Sequence, residues 1–238
     1  MHWNVFFCIQ PKLDMKNKVI KQYSFFRRNG LSLVFLAFFI LSIGAQAIAG
    51  WKEHNKELNE DHAPALDLPN YLSSGHFMSA TFENFESEFL QMSLYVMLTI
   101  GLRQIGSAES KSLDEKEDVD RMPQPLPNAP WPVRRGGIWL KLYANSLSIA
   151  FVSLFILSWL FHFYGSFRDE NAALLIKQKP SISMMEFLNE PRFWFETFQN
   201  WQSEFLSVLA IVVLSIYLRQ KGSPESKPVD APHMETGK

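Results

Sequence analysis

The chain has 238 residues, 47% of them hydrophobic and 14% aromatic, with a formal net charge of -1. This balance gives no general attraction for nucleic acid, and a single cysteine, Cys8, excludes an intramolecular disulfide and a thiolate metal cage. Charge is unevenly spread: long uncharged apolar blocks alternate with strongly polar connectors, the distribution a bilayer selects.

In chain order, residues 1–28 read as a cytoplasmic N-terminal arm, and Met15, which opens the basic stretch MKNKVIKQYSFFRRNG, reads as the true start. A native mass that includes Met1 would refute that start. The first apolar block, 31–50, has no charged residue, and 20 residues at about 1.5 Å each cross a hydrocarbon core of about 30 Å. Ala45-Gln46-Ala47 mimics a signal-peptidase site, but the matching segment later in the chain cannot be a signal, so no cleavage is expected. A polar stretch follows from Trp51 to Gly75. The second apolar block is uninterrupted only from Phe89 to Leu102, about 21 Å, so a span over 83–103 must take in Glu88 and start near Phe82. Residues 112–144 read as a cytoplasmic linker, its part from Ser112 to Pro132 flexible or extended. The third span is 147–165. In the polar stretch after it, Ser183 and Glu186 have the spacing of a capping box, which predicts a short helix ending before Pro191. The fourth span is 199–219, and 228–238 reads as a cytoplasmic tail, loose from Asp230 to Lys238.

Offset by 116 positions, TFENFESEFL (81–90) aligns with TFQNWQSEFL (197–206), and LRQIGSAESK (102–111) with LRQKGSPESK (218–227), without a gap. Two copies are expected, repeat 1 over 29–111 and repeat 2 over 145–227. The arm, the central connector from Arg103 and the C-terminal stretch from Arg219 carry 17 of the 23 Lys and Arg. By the positive-inside rule both termini and the linker are cytoplasmic and the copies point the same way. The fold class expected is therefore an all-α integral membrane protein. It has four transmembrane helices as two tandem two-helix repeats in parallel orientation, with short interfacial helices in the outer loops.

Ionisable groups at membrane depth are costly, which draws attention to Glu88 and Glu204. Helical spacing adds Asn84 and Asn200 to their faces, and Gln46 and His162 on the first spans reach a similar height. These six form a candidate polar cluster, able to handle a proton or cation, or to serve as hydrogen-bonding glue between helices. Arg103, Arg219, Arg134 and Arg135 are candidate topology or headgroup contacts. His54, His62 and His76 share the first outer loop with Glu57, Glu60, Asp61 and Asp67. Their spacing fits no standard ligand pattern, so no metal is expected there, and no cofactor elsewhere. No phosphate-binding glycine loop, nucleophile elbow or zincin motif occurs, which argues against a familiar enzyme.

At TFENFESEFLQM, LRQIGSAESK, WPVRRGG, NSLS and RFWFETFQNWQSEFL with LRQKGSPESK, the chain resembles an uncharacterised family of bacterial membrane proteins classed as a domain of unknown function. The resemblance implies a bacterial cytoplasmic membrane location and no particular activity. The expected partners are the lipid bilayer and a homo-oligomer or a membrane-protein partner. A structural or partner-binding bundle is the first functional expectation; a small oligomeric proton or cation transporter or channel is the second.

Overall fold

The computed structural model describes residues 23–237, so the start at Met15 and the arm before residue 23 lie outside the described residues. Among the described residues the regular elements are all helical: α1 (Phe25–Glu60), α2 (Leu68–Leu72), α3 (Gly75–Gly101), a 3-10 turn (Asp118–Asp120), α4 (Trp131–Arg135), α5 (Gly137–Ala144), α6 (Ser146–Ile176), α7 (Met184–Phe187) and α8 (Pro191–Tyr217). The chain forms two units, Met1–Gly44 and Ala45–Lys238. In the first unit, the described part of α1 presents an apolar surface that includes Leu31, Phe35 and Phe38, all exposed.

Helices α1, α6 and α8 are long and apolar enough to cross a membrane. Helix α3 equals α8 at 27 residues, but Glu83, Glu86 and Glu88 lower its apolar character. The helices outrun the expected spans. α1 continues ten residues past Gly50 to Glu60, and α6 continues to Ile176, so much of each stretch read as loop is helical. Nor does α3 wait for Phe82. The Ser74 hydroxyl accepts from the Phe77 N–H and caps the helix at Gly75, satisfying one of the free donors at its start.

In the second unit α3 packs chiefly on α6 and also along α8. The interior is largely polar: Thr81, Glu86, Ser87, Gln91, Ser158, His162, Ser166 and Thr197 are buried alongside the aromatic rings of Tyr71, Phe187 and Phe193, whereas Leu157, Leu160, Leu206 and Leu209 are exposed. A water-soluble bundle would show the opposite pattern, since burying hydrocarbon is what stabilises it. Hydrocarbon facing outward and hydroxyls facing inward suit helices held together within lipid by close packing and hydrogen bonds.

Residues 116 apart make the same contacts. Asn55 exchanges two hydrogen bonds with the backbone of Leu66, and Asn171 does the same with Ile182. α1 ends with His62 at φ 57° and α6 with Gln178 at φ 54°, each followed by an N–H that reaches back five residues. The expected capping box is present: the Ser183 hydroxyl accepts from the Glu186 N–H, and the Glu186 carboxylate accepts from the Ser183 N–H. The bond from the Ser183 N–H holds the Glu186 carboxyl below the usual carboxylate range.

The stretch 218–237 is not loose. Arg219 donates to the carbonyls of Pro228 and Ala231, Gly237 N–H donates to Ser107 O, and the Gly106 N–H donates to Thr236. Lys227, 2% exposed, donates to the carbonyls of Gly106, Pro232, His233 and Glu235. A buried ammonium needs such an acceptor shell, and supplying it folds the segment back.

Candidate functional site

The centre of the second unit holds an acid and a base. Glu86 on α3 and His162 on α6 are both 0% exposed, and Oε2 of the carboxyl lies 3.0 Å from Nδ1 of the imidazole. Oε1 of Glu86 accepts from the indole N–H of Trp201 on α8 at 3.2 Å. Three helices thus converge on one carboxyl group. The ring of Phe193 lies 5.1 Å from that of His162. The other imidazole nitrogen, Nε2, and the hydroxyl of Thr197 are buried without a hydrogen-bond partner among the described residues. His162 is also in electrostatic range of Glu83, whose carboxylate accepts from the Asn200 amide. Glu83 borders a polar cavity of about 200 Å³ that is also lined by His76, Asp169, Glu170, Arg192 and Glu196.

Helix α3 reaches these positions through a close crossing with α6. A Cβ on Gly75 would stand 2.6 Å from the carbonyl oxygen of Gly165 and 2.5 Å from the Asp169 nitrogen. Beside that crossing the hydroxyls of Ser79 and Ser166 bond to each other. Small residues let the two backbones approach until short side chains can meet.

The six residues of the expected cluster are divided. His162 belongs to the acid-base centre and Asn200 reaches it through Glu83. Gln46 donates to Thr81 at 3.3 Å. Asn84 is exposed and donates to the carbonyl of Ala80 on its own helix. Glu88 is exposed and lies in electrostatic range of half-buried Glu204. The Glu204 backbone oxygen accepts from Gln91, which also donates to Ser207. Arg103 and Arg219 turn back onto the last carbonyls of α3 and α8, where a cation offsets the negative end of the helix dipole. The Arg135 guanidinium sits near the rings of Trp131 and Trp139, 5.1 and 5.2 Å from their centroids, while Arg134 lies in the last turn of α4.

Glu86 and Glu83 are absent from the sequence-based cluster. The offset favours Glu88, which recurs as Glu204, over Glu86 and Glu83, which face glutamines at 202 and 199. The useful signal is the mismatch at the offset of 116, where Glu86 faces Gln202 and His162 faces Gln46.

A second group lies at the polar end of α1. The ligand-capable atoms of His54, Glu57 and His76 all lie within 4.8 Å of one another, although their sequence spacing fits no standard pattern.

Residues 22–238 match the family described as Domain of unknown function (DUF6766), and the chain belongs to it. No curated protein and no solved structure matches the chain.

Proposed function

We propose that the chain is a four-span protein of the bacterial cytoplasmic membrane, built from two tandem two-helix repeats with both termini cytoplasmic, and that it handles protons through Glu86 and His162. Support for the fourth span comes from α3 and α8. They touch about a third of the way along through Glu83 and Asn200 and past the middle through Gln91 and Ser207, and the turn after α3 bonds the last part of α8 through Ser107 and Ser215. Two helices of equal length, parallel and level, cross together, and about 40 Å is enough. Reagents unable to cross the bilayer, applied to single-cysteine variants on a Cys8→Ser background, test the topology. Labels at Trp51→Cys and Phe167→Cys on the same side as the termini would overturn it.

The observation that carries the proton reading is an exchange between the two halves. His162 stands at the position that Gln46 holds in the first half, and Glu86 at the position that Gln202 holds in the second. Gln46 joins α1 to α3 as an amide, bonded to Thr81. Neutral side chains therefore suffice to hold helices together here, and an ionisable pair adds a desolvation cost that packing does not require. What the pair adds is a proton that either member can hold. Glu86 Oε2 and His162 Nδ1 stand 3.0 Å apart, within reach of one proton, and Nε2 offers a second point of exchange.

The double variant Glu86→Gln, His162→Gln gives both halves the same amides. Reconstituted wild-type protein is expected to pass protons across liposomes under a potential, and the double variant to lose that flux while keeping its helicity and size. Absence of flux from correctly assembled wild-type protein would favour the second reading, a structural or partner-binding bundle, which the paired contacts of Gln46, Gln91 and Asn200 support.

A further inference from the structure

We infer that His54, Glu57 and His76 form a site for a divalent transition-metal ion of the zinc class, joining the polar end of α1 to the start of α3. The site is independent of the proton reading. Its side chains are those such an ion selects: imidazole nitrogen with one carboxylate oxygen, leaving positions for water or a further carboxylate. Asp169 on α6 is in electrostatic range of both rings and is a candidate for that position.

Three observations point to an ion. First, Nδ1 of His54 is buried and makes no hydrogen bond among the described residues; its nearest carboxylate oxygen, on Glu57, is 3.7 Å away. A polar nitrogen withdrawn from water and left without a partner is costly unless something else occupies it. Second, the His54 and His76 rings stack with centroids 4.5 Å apart and planes at 30°. At the equivalent places in the other half stand Glu170 and Arg192, an ion pair at 3.7 Å. Opposite charges hold the second half together there, whereas two imidazoles attract each other little, and a shared cation supplies the missing attraction.

Third, His76 is already oriented. Its Nδ1 lies 3.2 Å from the hydroxyl of Tyr71, which is 1% exposed. If Nδ1–H donates to the phenol oxygen, Nε2 is left as an unprotonated ligand, the arrangement by which outer partners set the tautomer of metal-binding histidines. Gly50 makes room for that hydroxyl, since a Cβ there would stand 2.3 Å from it. In a tetrahedral zinc site, donor atoms lie roughly 3.4 Å apart. Closing from 4.8 Å or less asks most of Glu57, whose side chain is 60% exposed and free to swing.

The test uses the full chain in detergent, stripped with a chelator and titrated with Zn²⁺ against a chromophoric competitor. One equivalent per chain is expected. His54→Gln and His76→Gln should each weaken binding at least tenfold, Tyr71→Phe by about tenfold, and Glu88→Gln not at all. Failure of the wild-type chain to take up one equivalent, or equal affinity in the His54→Gln, His76→Gln chain, would overturn the site. Should that variant not assemble, X-ray absorption at the zinc edge of the wild-type protein decides. Scattering from two imidazoles is expected, and a shell without imidazole overturns the proposal.

Discussion

Gly165 lies against the backbone of α3, where a Cβ would stand 2.6 Å from the Ser79 nitrogen and 3.1 Å from the Gly75 oxygen. Both neighbours are main chain, so they cannot rotate away as a side chain would. Gly165→Ala is therefore expected to destabilise the protein by about 1–3 kcal/mol. Gly44→Ala is the control, because a Cβ there meets nothing within 4 Å. Thermal melts in one detergent compare them, and equal melting temperatures would mean that α3 and α6 do not cross this closely.

The two acids two residues apart on α3 should behave differently. Glu86→Ala strips both His162 and Trp201 of a hydrogen-bond partner in a fully buried site. A loss of about 2 kcal/mol is expected, the sum of two interhelical hydrogen bonds in lipid. Glu88→Ala removes an exposed side chain and should cost well under 1 kcal/mol. Matched unfolding curves in mixed micelles provide the measurement; a larger loss from Glu88→Ala would place the wrong face of α3 inside.

Gln178 ends α6 at φ 54°, a left-handed conformation that strains any residue with a Cβ. Gln178→Gly should raise stability by up to about 1 kcal/mol, since glycine takes this position in most helix endings of this type. The readout is a melting temperature above wild type. A decrease would show that the Gln178 side chain contributes more than its backbone strain costs.

Much of the architecture was legible because it depends on local rules. The uncharged block from Leu31 to Gly50 and the Ser183–Glu186 pair each announce a helix through length or capping, and both lie in helices. The helix ends were not legible. Trp51 to Glu60 reads as polar connector yet stays helical, its far end closed by the turn at His62 rather than by a breaker residue. The facing of α3 was hidden for a different reason. Its buried positions wander around the axis as the neighbour changes: Thr81 meets Gln46 of α1, Glu86 meets His162 of α6, and Gln91 meets the α8 backbone at Glu204. A single stripe drawn through Thr81, Asn84, Glu88 and Gln91 takes in the contacts to α1 and α8 and misses Glu86, which meets α6. The histidine site was obscured by distance along the chain, since His54 and His76 meet only after the turn containing Tyr71 brings α3 back beside α1.

Glu86 and His162 also restrict how α3 and α6 can slide. A slip of one turn, about 5.4 Å, would carry the carboxyl beyond reach of the imidazole, and hydrocarbon could solvate neither group. Contacts between apolar side chains tolerate such a shift, because one leucine serves nearly as well as the next. The acid and the base accept one alignment only, so the same two groups that could carry a proton also set the height at which α3 and α6 stand beside each other.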